Sequence, residues 1–149
     1  MCYIDVDERK LAFAKTLGFE EYCDGMTVDC AIEGTGYGDA LEMCLAAVKP
    51  YGRVVLMGNP AGDVTMTQKT YWYILRKELR VCGTWNSSYS EKQNDWKESL
   101  AALAAGKLCV KPLITHKYPL SECCEAFAMM RDRNEFYNKV MLNMNEEEM

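Results

Sequence analysis

The strongest constraint on the fold of this 149-residue chain is a regular alternation of short apolar runs with segments of helical periodicity. The run 53–58 is almost wholly apolar, includes Val54 and Val55, and has helical patterns on both sides. A continuous apolar strand between two helices is typical of a parallel sheet that is covered on both faces. The alternation therefore predicts an α/β fold with a doubly wound, Rossmann-like parallel sheet.

The first strand–helix unit is predicted at the start of the chain. Tyr3-Ile4 is a short apolar run that ends at Asp5, and Asp7 is suited to cap the helix that follows. Gly18 suits the position just after that helix, because glycine adopts a left-handed backbone without a steric cost. This unit places a carboxylate, Asp5, at the carboxyl end of a strand.

A second unit follows, with a buried strand over residues 28–32 that ends in Glu33 and a glycine-rich loop over residues 34–38. Asp39 and Glu42 have the spacing of a capping box and predict a helix start there. Further strand patterns cover residues 79–84, 113–116 and 139–142.

Composition and charge exclude several classes of protein. The net charge is −5 and the basic residues are scattered, whereas a nucleic-acid-binding surface needs a basic stripe. The sequence contains no stretch of 18 uninterrupted apolar residues, so no membrane span is predicted. The first residues lack the basic region of a signal peptide, which favours the cytoplasm. The eight cysteines include no Cys-x-x-Cys pair, so neither a disulfide framework nor a zinc knuckle is predicted.

Ligands of an open parallel sheet bind beyond the carboxyl ends of its strands. An acid such as Asp5 can accept both hydroxyl hydrogens of an adenosine ribose, and its charge repels a 2′-phosphate, which favours NAD over NADP. The alternative is that Asp5 only caps the turn that follows. Gly34, Gly36 and Gly58 follow strands and can let a flat ligand approach the backbone, or they can serve ordinary turns.

Several segments resemble the zinc-type medium-chain alcohol/polyol dehydrogenases. They are residues 4–11 with 14–18, 52–58, 74–79 with 83–86, and 111–120. The segments 74–79 and 83–86 look closest to the galactitol-1-phosphate 5-dehydrogenase and sorbitol dehydrogenase branch. The resemblance implies a nicotinamide-cofactor domain, whose whole enzyme would transfer hydride from a sugar alcohol or its phosphate to NAD.

The resemblance also implies roles for individual residues. It matches Asp5 to the ribose-binding acid, Gly34 and Thr35 to the loop near the adenosine ribose, and Lys139 to a basic residue near the pyrophosphate. It matches Met57, Gly58 and Asn59 to the segment against the nicotinamide, and Thr84 and Trp85 to the segment that holds the carboxamide. It assigns no catalytic residue and no metal ligand to this chain.

The sequence departs from the family in what it lacks. The family's Gly-x-Gly-x-x-Gly fingerprint and central strand belong to a first strand–turn–helix unit, and its zinc ligands belong to a catalytic domain; neither is found in these 149 residues. Loss of the central strand is expected to separate the family's second strand from its fourth. We therefore predict a partial NAD-binding domain over 1–110, a segment over 111–142 that returns toward the absent catalytic domain, and an acidic tail over 143–149. The isolated chain is expected to be inactive.

Two other interpretations stay open at this point. The chain could be a non-catalytic remnant that binds a nucleotide or a partner through exposed strand edges, and a homodimer is expected on resemblance. It could also be an S-adenosylmethionine-dependent methyltransferase, another class with an acid after its second strand. The segment 111–120 suits the dehydrogenase and has no place in that methyltransferase fold.

Overall fold

The computed structural model describes residues 1–144, and the acidic tail predicted at 143–149 lies outside the described residues from position 145 onward. The described chain is α/β, and every strand pair in it is parallel. Its strands are β1 (Cys2–Tyr3), β2 (Glu20–Glu21), β3 (Val28–Glu33), β4 (Val48–Leu56), β5 (Arg80–Gly83), β6 (Ile114–Pro119) and β7 (Lys139–Asn143). Its α-helices are α1 (Glu8–Thr16), α2 (Gly38–Ala47), α3 (Gln68–Arg76), α4 (Asp95–Ala104) and α5 (Cys123–Asp132). The predicted α/β class with parallel sheets is confirmed.

The described strands form three separate sheets. β1 pairs with β2, β3 to β5 form a three-stranded sheet in the order β3-β4-β5, and β6 pairs with β7. β1 and β3 therefore belong to different sheets, as expected for a Rossmann-like chain without its central strand.

The chain divides into two compact units. One contains residues 1–22 and the chain from Asn94 onward, and the other contains Cys23–Gln93. The domain boundaries predicted at residues 110 and 142 stay predictions.

In the first unit, local signals set the limits of α1. The Asp7 side chain accepts a hydrogen bond from the Arg9 N–H at 2.9 Å, as an N-cap does. Leu17 is the C-cap, and Gly18 follows it with φ of +84°. Both residues have the roles that the sequence predicted.

In the second unit, one face of the three-stranded sheet is packed against α2 and α3. Leu45 on α2 and Val48 and Val54 on β4 are fully buried and form the centre of this core. Partly buried Tyr73, Ile74 and other apolar side chains surround them. Lys77, which follows α3, donates from its Nζ to three backbone carbonyls at the end of α2, and so satisfies acceptors that the helix leaves free.

The other face of the same sheet is exposed, so the predicted coverage of both faces is wrong for this unit. Ile32 pairs with Val55, and Val55 pairs with Cys82, so the three side chains lie on one face. Ile32 is 62% exposed, and Cys82 and Cys30 are also exposed. The apolar run on β4 indicated a buried strand correctly, but the helices of this unit bury only one side of it.

The capping box predicted for α2 is also wrong. The helix begins at Gly38 with Tyr37 at its N-cap, and the Tyr37 side chain makes no capping hydrogen bond. The Glu42 carboxylate instead accepts a hydrogen bond from the Thr70 hydroxyl of α3 at 2.7 Å. A tertiary contact between the helices has replaced the local one.

Two further observations concern the whole of the described chain. All eight cysteines are free thiols. Among residues 1–144, no helix is both long enough and apolar enough to cross a membrane.

Candidate functional site

The carboxyl ends of β3, β4 and β5 meet at one edge of the three-stranded sheet. Glu33 pairs with Leu56, and Leu56 pairs with Gly83, so the three strands end in register. The Thr84 N–H then donates to the Leu56 carbonyl at 2.9 Å, which holds the exit of β5 against the end of β4. The loops after the three strands therefore leave the sheet side by side.

Glu33 organises the first of these loops. Its side chain is buried, and a single carboxylate oxygen, Oε1, accepts three hydrogen bonds. The donors are the Thr35 N–H at 2.7 Å, the Thr35 hydroxyl at 2.7 Å and the Gly36 N–H at 2.9 Å. The loop after β3 is thus folded around the carboxylate of the last residue of the strand.

The hydrogen bonds to Glu33 also set its charge. Burial by itself raises the pKa of this carboxyl, but the Thr35 hydroxyl and the backbone N–H groups of Thr35, Gly36 and Gly58 outweigh burial. The pKa therefore lies below its ordinary value, and Glu33 is ionised at neutral pH.

The loop after β4 is tied to the loop after β3 through backbone contacts. The N–H groups of Met57 and Gly58 donate to the Glu33 carbonyl at 2.8 and 2.9 Å. A Cβ on Gly58 would collide with the Gly36 N and would lie 2.6 Å from the Thr35 N. Gly58 is therefore required for the two loops to approach each other this closely.

Gly36 makes the reciprocal contact. Its φ is +79°, and a Cβ there would lie 2.7 Å from the backbone of Asn59 and Pro60. A residue with a side chain would be strained by its backbone conformation and blocked by the opposite loop. The glycines at positions 36 and 58 therefore allow the two loop backbones to pack closely, and their role in ligand approach stays a prediction.

Two exposed side chains lie beside the packed loops after β3 and β4. Met57 is 56% exposed and its Cε lies 3.4 Å from where a Cβ on Gly34 would be. Trp85, after β5, is 73% exposed. These two side chains offer apolar surface at the carboxyl edge, next to the polar backbone of the loops.

Asp5 and Lys139 lie in the other unit. The Asp5 carboxylate accepts from the Asp7 N–H and from the Tyr3 hydroxyl, each at 3.0 Å, and lies 3.6 Å from the Lys10 Nζ. Asp5 therefore does cap its turn, while its ribose-binding role stays a prediction. Lys139 begins β7, where it pairs with Ile114.

Two cavities, of about 220 and 210 Å³, lie within the first unit. The larger is lined by Asp7, Arg9, Lys10, Arg133 and residues 135–138, and neither Asp5 nor Lys139 lines it. Neither cavity is lined by residues of the carboxyl edge of the three-stranded sheet.

Seven of the predicted cofactor-binding residues therefore lie along one edge of the second unit: Gly34, Thr35, Met57, Gly58, Asn59, Thr84 and Trp85. The functional candidate that the sequence-based list omitted is Glu33. An acid that directly ends a buried strand and precedes Gly-Thr-Gly is the signal that could have identified it. Among residues 1–144, no group of three or more His, Cys, Asp or Glu side chains is placed to hold a metal ion.

Comparison with known proteins gives consistent matches. Residues 1–105 match the family model for zinc-binding dehydrogenase. The galactitol 1-phosphate 5-dehydrogenase of Escherichia coli K12 is 28% identical over 93% of this chain and 44% of its own length. The D-arabitol-phosphate dehydrogenase of Enterococcus avium is 30% identical over 99% of this chain and 44% of its own. The chain thus spans less than half the length of these curated relatives.

Solved structures give the same result for the fold. The crystal structure of E. coli galactitol-1-phosphate dehydrogenase superposes with a TM-score of 0.77 and 26% identity, over 93% of this chain and 44% of that one. An alcohol dehydrogenase of E. coli CFT073, in complex with NADH, gives a TM-score of 0.76 at 20% identity, over 96% and 44%. A zinc-binding dehydrogenase of Sinorhizobium meliloti, bound to NADP, gives 0.67 at 19%, over 95% and 43%.

Proposed function

Because the chain belongs to the zinc-binding dehydrogenase family, we propose that it is the cofactor-binding portion of an NAD-dependent alcohol or polyol dehydrogenase. The observation that carries the proposal is the carboxyl edge of the three-stranded sheet, where Glu33, Gly36 and Gly58 lock two loops together. Ligands of open parallel sheets bind at such an edge.

The residues along this edge fit a dinucleotide. Exposed Met57 and Trp85 can pack against flat rings, and the loop backbones around Gly34 and Asn59 offer polar groups. When bound, NAD supplies a nicotinamide ring that accepts hydride. The role of this chain's residues is to bind the cofactor, orient it and exclude water from it.

A preference for NAD over NADP is supported by Asp5. Its carboxylate keeps acceptor capacity beside the bonds it makes to the Asp7 N–H and the Tyr3 hydroxyl. A carboxylate there would accept ribose hydroxyls and repel a 2′-phosphate.

The proposed substrate of the whole enzyme is a sugar alcohol or a sugar-alcohol phosphate, and support comes from relatives that act on galactitol 1-phosphate and arabitol phosphate. The described residues do not fit a zinc site, so no step is assigned to a metal held by them. We further propose that the isolated chain does not oxidise alcohols. NADH production from galactitol 1-phosphate or sorbitol by the pure 149-residue chain, resistant to chelators, would contradict this.

Titration of the full chain with NADH, followed by fluorescence, tests the proposal. We expect saturable binding of NADH, weaker binding of NADPH, and no binding of S-adenosylmethionine. Asp5→Asn should narrow the preference for NADH over NADPH by about tenfold, because it removes the charge that repels the 2′-phosphate. Asp24→Asn, on an exposed turn, serves as the control. Absence of NADH binding, or binding of S-adenosylmethionine instead, would contradict the proposal.

A non-catalytic interaction protein is the second candidate, favoured by the exposed face around Ile32 and by the position of β3 at the edge of its described sheet. An edge strand offers free backbone groups to another chain. Sedimentation of the purified chain distinguishes a stable homodimer, which the family resemblance led us to expect, from a monomer. Location in the cytoplasm is part of the proposal and is tested by cell fractionation.

A further inference from the structure

We propose that Glu33 is the positioning residue of this cofactor site, and that its negative charge also favours the oxidised cofactor over the reduced one. The proposal deepens the proposed function and rests on it. It has two parts, a geometric one that concerns the loops and an electrostatic one that concerns the redox state of the bound nicotinamide.

The geometric part follows from the hydrogen bonds. Three donors from Thr35 and Gly36 converge on Oε1, and the other oxygen, Oε2, lies 2.6 Å from where a Cβ on Gly58 would be. The backbone carbonyl of the same residue accepts from Met57 and Gly58. One residue therefore fixes both loops, its side chain holding the loop after β3 and its backbone holding the loop after β4.

The electrostatic part follows from the nature of those donors. Two backbone amides and one hydroxyl are uncharged, so they stabilise the carboxylate without cancelling its charge. None of the ion pairs found among residues 1–144 includes Glu33. A net negative charge thus lies directly against Gly58, within the segment 57–59 that is proposed to face the nicotinamide.

That charge has different consequences for the two forms of the cofactor. The nicotinamide ring of NAD⁺ is positively charged, whereas the ring of NADH is neutral. A fixed carboxylate stabilises the charged ring by Coulomb attraction that the low-dielectric interior strengthens. If Glu33 only held the loops together, its substitution would weaken the binding of NAD⁺ and of NADH by the same factor.

Three variants of the full chain separate these parts. Glu33→Gln removes the charge, replaces one carboxylate oxygen by an NH₂ group and keeps the size of the side chain. Thr35→Val removes the hydroxyl donor but leaves the charge. Glu42→Gln is the matched control, because Glu42 is a partly buried carboxylate of the same unit that also accepts from a threonine hydroxyl, but from Thr70 of α3 rather than from the loop after β3.

Two measurements are made on each variant: amide hydrogen exchange at Thr35 and Gly36, and the dissociation constants of NAD⁺ and NADH by calorimetry. Both Glu33→Gln and Thr35→Val should raise exchange at these amides about tenfold or more, since each variant weakens or removes hydrogen bonds that hold the loop. Only Glu33→Gln should raise the ratio of the NAD⁺ constant to the NADH constant, by about threefold or more. Glu42→Gln should change neither.

The outcomes are distinct. Unchanged exchange in both Glu33→Gln and Thr35→Val would overturn the geometric part, whether or not the cofactor binds. An unchanged ratio in Glu33→Gln, with both forms weakened alike, would overturn the electrostatic part. If Glu33→Gln does not fold, Thr35→Val decides: raised exchange with an unchanged ratio supports the proposal, and a changed ratio overturns the electrostatic part. Failure of the wild-type chain to bind either form defeats the proposed function and the electrostatic part, while the exchange data still judge the geometric one.

Discussion

The two faces of the β3–β5 sheet differ in burial although they belong to the same three strands. On one face Leu45, Val48 and Val54 have no exposed surface. On the other, Ile32 is 62% exposed and the thiols of Cys30 and Cys82 are exposed. The hydrophobic contribution to the stability of this unit therefore comes from one side of its sheet.

The contrast shows that burial of a strand on one face of a sheet does not imply that the other face is covered. Val54 is buried because residues of α2 and α3 pack around it, whereas Ile32, on the opposite side of the pleat, is 62% exposed. The exposed face carries Ile32 beside Arg53 and Arg80, and an exposed apolar side chain among charged ones can mark an interaction site. Substitutions on the two faces should therefore have unequal effects.

The largest effect is expected for Leu45→Ala. Removal of a fully buried leucine leaves a cavity and should lower the free energy of unfolding by about 2–5 kcal/mol. Ile32→Ala, on the exposed face, is the matched comparison and should change it by less than about 0.5 kcal/mol. Urea denaturation followed by circular dichroism measures both values. Equal losses would mean that the exposed face is buried in solution, for instance by a second copy of the chain.

The next largest effect concerns the glycines at the carboxyl edge. Gly58→Ala places a methyl group against the backbone of Gly36 and should cost about 1–3 kcal/mol in unfolding free energy. Gly83→Ala is the control, because a Cβ at that position meets nothing within 4 Å. The same urea titration compares them. A tolerated Gly58→Ala would show that the two loops can separate without loss of the fold.

A third prediction uses native thiols to compare the two faces. Burial, and then the negative charge of Glu33, raise the pKa of Cys44 on the covered side, so its reactive thiolate is scarce. Cys30 and Cys82 on the open face should be alkylated at least about tenfold faster than Cys44 at neutral pH. Timed labelling with peptide mass spectrometry gives the three rates. Slow labelling of Cys30 and Cys82 together would indicate that something covers that face.

The smallest effect is expected from pH. The folded-state pKa of Glu33 lies below its ordinary value near 4.5, since the hydrogen bonds to it outweigh burial. Its stabilising contribution is therefore complete above pH 4.5 and is lost as the pH falls through the folded-state pKa. Glu33→Gln should reduce the loss of unfolding free energy as the pH falls below 4.5. Glu42→Gln, measured in the same way, is the comparison. Identical acid slopes in the wild type and Glu33→Gln would contradict this assignment.

Sequence patterns predicted the structure best where the signal acts between neighbouring residues. Asp7 and Gly18 limit α1 because a side chain beside a helix end and a residue tolerant of positive φ act within one turn. Glu42 has the spacing of a capping box, yet its partner is Thr70, which is 28 residues away. Spacing along the chain cannot reveal a competitor that is brought in by the packing of another helix.

The candidate site shows the same division. Glycines and an acid after successive strands indicated the carboxyl edge, since parallel strands in register must end together. The importance of Glu33 did not follow from its type, because an acid at the end of a strand can equally be exposed. Its three hydrogen bonds depend on the exact path of the loop that follows.

By itself, the sequence determined the α/β class and the parallel pairing, because hydrophobic periodicity and strand–helix alternation are properties of short segments. The resemblance to zinc-binding dehydrogenases came from particular runs of residues, and the family match over residues 1–105 agrees with it. Only the tertiary structure decided which face of the sheet is covered, which carboxylate is buried, and which glycines bring two loops into contact. Those outcomes depend on residues far apart in the chain, whose contacts form only when the helices and strands pack together.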